Sequence, residues 1–394
     1  MKKDDMSDTE AQRIRTFLEE RQGKMLDFLR ALALAESPSD EPSAQREVQA
    51  LLSDALRDLD YEVRHIRGRA TGGHLYARSR DRAHGAPAQL VMGHCDTVWP
   101  VGTLRTMPVE IVDGRMSGPG VFDMKGGLTQ ALFALRALRE LGLTPPATPV
   151  VFINSDEEIG SPESRRWVRL LARRVARVWI PEPAFGPTGK LKTARKGVGE
   201  FTVRIHGKAA HAGLDPEGGA SAIQELSHVI QEMHALTDLP RGVTVNVGVV
   251  EGGLRRNVVA PHARADVDVR VLTMDDARRV EEAIRRLRPR TAGVTLEVEG
   301  GLRAPPLERT PRNRRLWEAA LAAGRALGVE LEEVTSGGGS DGNTTSRYTA
   351  TLDGLGPVGD GAHARHEFVL VDGLVERAAL LAKLLLAPLD APGR

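Results

Sequence analysis

The chain has 394 residues, more than one ordinary hydrophobic core absorbs, so two domains are expected. Hydrophobic residues at 41% and charged residues at 27% exclude an extended disordered chain and a membrane-embedded one. Lys plus Arg total 54 against 53 for Asp plus Glu, and a net charge of +1 offers no bulk attraction to nucleic acid or an anionic bilayer. Residues 1–15 are charged and lack the apolar run of a signal peptide, and no uninterrupted apolar stretch of about 18 residues occurs. Cys95 stands alone, which rules out an internal disulfide and a thiolate-built zinc site and fits a reducing cytoplasm as the expected location.

Apolar residues at helical spacing (Ile14, Leu18, Met25, Leu29, Leu32) predict one long helix over 7–35, ended by Ser37-Pro38-Ser39. A second helix is expected over 47–59. Short β-rich runs follow at 61–66, 74–77 and 89–93, the last leading into His94. A helix from Lys125 to about Leu141, strands at 149–154 and 177–180, and helices at 312–327 and 371–386 complete a mainly parallel α/β sheet. Between them the pattern changes: strand 199–206, helix 220–236, strands 243–250 and 263–271, helix 275–287, strand 294–298. That order is the split pattern of a ferredoxin-like α+β sandwich. The expectation is a discontinuous domain, 1–194 with 303–394, interrupted by an inserted domain at 195–302.

Five segments carry side chains suited to metal chemistry. His94 and Asp96 lie at the carboxyl end of an apolar strand, where open α/β sheets place ligands, and strand alternation points both the same way. The same pair is also ordinary strand-end polarity. Asp123, in Gly118-Pro119-Gly120-Val121-Phe122-Asp123-Met124-Lys125-Gly126-Gly127, is either a ligand or a helix cap. Asp156-Glu157-Glu158 stacks three acids after a strand, costly unless a cation sits among them or a helix dipole faces them. Adjacent glutamates allow one to hold metal while the other carries a proton. Glu182 lies between two prolines after a further strand, and His363 and His366 share a loop some 180 residues on. Successive strand ends of one sheet each delivering a nitrogen or oxygen is what favours the metal reading.

This ordered set resembles the zinc-dependent family of aminoacylases, desuccinylases and carboxypeptidases, most of all its glutamate carboxypeptidase (carboxypeptidase G) branch. The resemblance spans nearly the whole chain from about residue 20. It implies a catalytic domain of zinc-exopeptidase type with an inserted lid and dimerisation domain, hence a homodimer through 195–302. It implies one zinc on His94, Asp123 and Glu182 and a second on Asp123, Glu158 and His363. Co²⁺ or Mn²⁺ are possible substitutes, since such donor sets discriminate weakly. Asp96 would orient His94, and Glu157 would be the general acid/base. Gly207-Lys208-Ala209-Ala210-His211-Ala212-Gly213 is similar to the family's lid segment and assigns His211 to the oxyanion. Asn257 and Arg270 would meet the substrate, Arg270 at a free carboxylate, and Gly338 belongs to a glycine loop similar to a substrate-contacting one. The linkage after Asp123 is cis in such relatives.

The implied reaction is direct hydrolysis of an N-acyl amino acid or small peptide beside its free carboxylate, by water activated between two metals, with no covalent intermediate. A deacylase of acetylated or succinylated amines is the alternative, and a silent metal-binding relative a third, although no ligand and no proton carrier is missing from the sequence. Cys95, between His94 and Asp96, reads as packing. His363 is preferred over His366 because Glu367 follows it at the family's spacing.

Overall fold

The computed structural model describes residues 3–83 and 85–389. The chain divides into two compact units, one of Met1–Thr193, Arg309–Thr335 and Ser340–Arg394, the other of Ala194–Glu308 with Ser336–Gly339. Among the described residues no helix is long and apolar enough to cross a membrane.

The first unit is built on a six-stranded sheet in the order Tyr61–Ile66, His74–Ser79, Thr148–Asn154, Ala88–His94, Arg177–Trp179, Ala350–Leu352. The last four strands run parallel and the first two pair antiparallel, so the sheet is mixed with a parallel centre. Central strands are buried on both faces, which is why they read as continuous apolar runs. In Ala88–His94, Leu90 and Met92 enter one core with Val150, Phe152 and Val168. Val91 and Cys95 enter the opposite, larger core with the helices Gly126–Glu140 and Val371–Leu386. Cys95 is thereby turned away from His94 by strand alternation, and burial pushes its thiol up to about 12.

The long helix expected over 7–35 is two helices, Lys3–Glu19 and Gln22–Leu34. Arg21 leaves helical geometry (φ −114°, ψ 8°), donates from Nη1 to the carbonyl of Phe17 at 3.1 Å and lies 3.6 Å over the Phe17 ring. The apolar spacing conceals the break because Leu18 and Met25, on either side of it, both remain in the core.

The second unit is a four-stranded antiparallel sheet, Thr244–Gly252, His262–Val271, Gly197–His206, Thr295–Ala304, carrying the helices Ala222–Ala235 and Met274–Arg285. Phe201, Val203 and Ile205 alternate into its core opposite Val267, Ala265 and Ala263. The last strand outruns its expected end at Val298. Pairing with Gly197–His206 continues through Gly300 and Gly301, where a β-carbon on Gly300 would meet the Glu200 carbonyl at 2.1 Å.

Candidate metal centre

His94 closes its strand, Asp123 sits in the turn before Gly126–Glu140, Glu158 lies in the loop after Thr148–Asn154, and Glu182 follows Arg177–Trp179. His94, Glu158 and Glu182 thus occupy carboxyl-end positions of the parallel strands, while Asp123 is delivered by the turn that opens the helix. The helix Gly126–Glu140 approaches the Glu182 segment closely: a β-carbon on Gly127 would lie 1.8 Å from the Pro181 carbonyl oxygen, so only glycine fits.

The five expected ligands converge in the first unit. His94 Nε2 stands 3.3 Å from Asp123 Oδ1 and 3.3 Å from Glu182 Oε1. On the other side of the same carboxylate, His363 Nε2 stands 3.5 Å from Asp123 Oδ2 and 3.0 Å from Glu158 Oε2. The two Asp123 oxygens thus face two separate His–carboxylate pairs. His94, Asp123 and Glu158 each offer a ligand atom within 4.8 Å of the others. His94 Nε2, Asp123 Oδ1 and Glu158 Oε1 are buried and make no hydrogen bond. Buried polar atoms without partners are rare in folded proteins, and a nitrogen and oxygens aimed at one another are what a divalent cation requires. The donor set fits zinc. Among the described residues His366 has no ion pair with these carboxylates, and the loop presents His363, at φ +59°, to Asp123 and Glu158. The Asp123–Met124 peptide is cis.

The electrostatics express the same convergence. Burial opposes the cationic form of His94, but Asp123, Asp96 and Glu182 outweigh it and raise its pKa well above the usual imidazole range. Asp123 and Glu158 push His363 up to about 10. Burial alone would raise Asp123, yet His363 and His94 hold it well below the usual carboxylate range.

Asp96 does more than orient a ring. His94 Nδ1 lies 3.0 Å from the Asp96 carbonyl and 3.4 Å from its Oδ1, which turns Nε2 toward Asp123. The Asp96 carboxylate also accepts the Glu157 and Glu158 N–H groups at 3.3 and 3.2 Å and the Ser39 hydroxyl at 2.7 Å. One carboxylate therefore fixes a histidine and the acidic loop together. Glu157 is pushed well above the usual carboxylate range by burial; His94 opposes this, and Glu182, Asp341 and Glu158 add to it.

His211, Asn257, Arg270 and Gly338 all belong to the second unit. His211 Nδ1 accepts the N–H groups of Gly213 and Leu214 at 3.2 and 3.1 Å, which places the ring proton on Nε2 as a donor. The Ala212 N–H donates to the Asn257 carbonyl at 3.1 Å, so these two segments are tied together. Arg270 is held by both oxygens of Asp268, its neighbour two along the strand. The Gly338 and Gly339 carbonyls accept from Arg195 Nη1 at 3.3 and 2.9 Å.

Three residues around the centre had no role in the sequence reading. Asp341 accepts from Asn154 Nδ2 at 2.6 Å and Ser161 Oγ at 2.7 Å, pinning both ends of the acidic loop; burial pushes it up to about 6 against those bonds. Lys192 is buried and its charge lowers the pKa of Asp123. Glu367 is buried below the Asp123 turn. Asp341 lies in the glycine loop already singled out and Glu367 at a noted spacing, but no local pattern marks Lys192.

Comparison with known proteins gives the family. The chain is 29% identical over 351 residues to carboxypeptidase G2 of Pseudomonas sp. (strain RS-16), covering 85% of this chain and 82% of that one. It is 28% identical over 358 residues to succinyl-diaminopimelate desuccinylase of Stenotrophomonas maltophilia, covering 85% and 92%. Its fold matches that of the Bacillus subtilis YXEP protein, described as a dinuclear metal binding peptidase, with a TM-score of 0.68 at 16% identity over 93% of this chain and 98% of that one. The model of peptidase family M20/M25/M40 matches residues 90–387, and the chain belongs to that family of metal-dependent amide-bond hydrolases.

Proposed function

We propose that the protein is a di-zinc hydrolase that cleaves an N-acyl amino acid or small peptide next to a free carboxylate. The observation that carries this reading is Asp123, whose two oxygens each face a separate histidine–carboxylate pair. His94, Asp123 and Glu182 would hold one zinc and Asp123, Glu158 and His363 the other, and the ions would supply water activation and carbonyl polarisation there. The chain does the rest. Glu157, beside the centre and outside the ligand set, takes a proton from the attacking water and returns it to the leaving nitrogen as the C–N bond breaks. Asp96 keeps Glu157 and His94 in register. His211, with Nε2 as its donor, stabilises the developing oxyanion, a contribution of about 3–4 kcal/mol for one such group. Asn257, Arg270 and the Gly338 segment bind the rest of the substrate, with Arg270 at its carboxylate.

The likeness to carboxypeptidase G2 supports the acyl-glutamate end of the substrate range, and that to the desuccinylase keeps deacylation as the second reading. Hydrolysis of a panel of acyl-glutamate, acetyl- and succinyl-amino acid, and dipeptide substrates decides between them. The expected result is turnover of the acyl-glutamate first, abolished by chelation and restored by zinc. Preference for a succinylated or acetylated amine would transfer the reading to deacylation. No turnover with two metals bound would overturn both.

We further propose a homodimer formed through the second unit. Thr244–Gly252 is an edge strand, and Val249, Val250, Leu254 and Ile223 are exposed on or beside it. A dimeric mass at micromolar concentration is expected by light scattering; a monomer with full activity would refute it.

A further inference from the structure

Glu367 is fully buried and its carboxylate accepts four N–H groups. Oε1 receives the backbone N–H of Phe122 at 2.9 Å and of Asp123 at 3.1 Å. Oε2 receives the Gly120 N–H at 3.0 Å and Trp99 Nε1 at 2.8 Å. Glu367 makes no ion pair with Lys or Arg among the described residues; these N–H dipoles, with the charge of the buried Lys125, stabilise its carboxylate. Its own backbone closes the turn that carries His363: the Glu367 N–H donates to the Ala364 carbonyl at 3.0 Å, and the Ala364 N–H to the Gly361 carbonyl at 2.8 Å. Gly361, at φ +84°, brings the two ends of this turn together; a β-carbon there would lie 2.8 Å from Glu367 Cα.

We infer that Glu367 is a positioning residue that registers the Asp123 turn against the His363 turn and thereby sets the second of the two metal positions. The inference rests on the two-metal reading above. At that second position two of the three ligands, Asp123 and His363, belong to segments joined through Glu367; at the first only Asp123 does, while His94 and Glu182 are placed by the sheet. Disturbing Glu367 therefore weakens the second position selectively. Glutamine is nearly isosteric but cannot substitute, because its NH₂ would face two N–H donors where an oxygen now stands.

The test is equilibrium binding of Zn²⁺ to metal-free wild type and Glu367→Gln, followed by visible spectra of the Co²⁺-loaded proteins. The expected result is a second equivalent bound about 10–100-fold more weakly, with the first within about threefold of wild type, and loss of the second cobalt band set. Wild-type binding of both equivalents, or parallel weakening of both, overturns the positioning role and leaves the two-metal reading intact. A wild type that takes fewer than two metals overturns that reading, and this one with it. Should Glu367→Gln fail to fold, Trp99→Phe removes one of the four donors at a half-buried site. It is expected to weaken the second equivalent about threefold, and no change would overturn the inference.

Discussion

Glu157→Gln is expected to lower kcat by about 10²–10⁴ while the protein still binds two metal ions. The amide keeps the side chain's shape, and the bond that fixes this residue runs from its backbone N–H to Asp96 Oδ1, which the substitution leaves untouched. What it removes is the capacity to take up and release a proton. Burial and the neighbouring Glu182, Asp341 and Glu158 raise its proton affinity, although His94 opposes them, which suits a carboxylate that takes a proton from water and surrenders it to an amine. Metal content by elemental analysis and kcat on the preferred substrate are the two readouts. Full activity in the variant would remove Glu157 from the mechanism. Loss of metal together with activity would make it a ligand.

Asp123→Asn is expected to be more damaging, with at most one metal bound per chain and turnover reduced about 10³-fold or more. A carboxylate presents an oxygen to each side, and here one side is His94 with Glu182 and the other His363 with Glu158. An amide presents one oxygen and one NH₂, and a donor hydrogen cannot face a cation. The backbone N–H that Glu367 accepts remains in place, so the turn keeps its course and the defect is confined to one oxygen. Titration with Zn²⁺ monitored by calorimetry checks the stoichiometry. Two equivalents bound with wild-type affinity would show that Asp123 is not shared.

The two variants separate two functions of one centre. Glu157 follows the strand Thr148–Asn154, whereas Asp123 precedes the helix Gly126–Glu140. Retention of metal in one variant and its loss in the other distinguishes proton transfer from coordination, whatever substrate is used.

Much of this centre is legible in the sequence because its ligands sit where strands end. An apolar run that stops at His94, another that stops before Asp156-Glu157-Glu158 and a third before Glu182 mark the carboxyl edge of a parallel sheet, since strands buried on both faces admit polar residues only at their ends. Strand alternation also separated Cys95 from His94. The split βαββαβ order of the second unit was readable for a similar reason: its strands have one buried and one exposed face and therefore alternate.

Tertiary structure decided what depends on partners distant in the chain. Whether His363 or His366 meets the carboxylates turns on the backbone of one loop, with His363 at positive φ; in the string of letters only the spacing to Glu367 favours His363. The break at Arg21 was invisible because the periodicity of buried residues survives it. Asp341 and Glu367 acquire their roles from hydrogen bonds to residues roughly 180 and 245 positions away, as Asn154, Ser161, Phe122 and Asp123 show. Sequence by itself determined which residues could ligate, because residue type and local periodicity are local properties. Which of Asp123's oxygens faces which histidine, and which buried carboxylates hold the loops in register, only the folded chain determines, because a hydrogen bond or a shared ligand is a relation between segments that the sequence keeps apart.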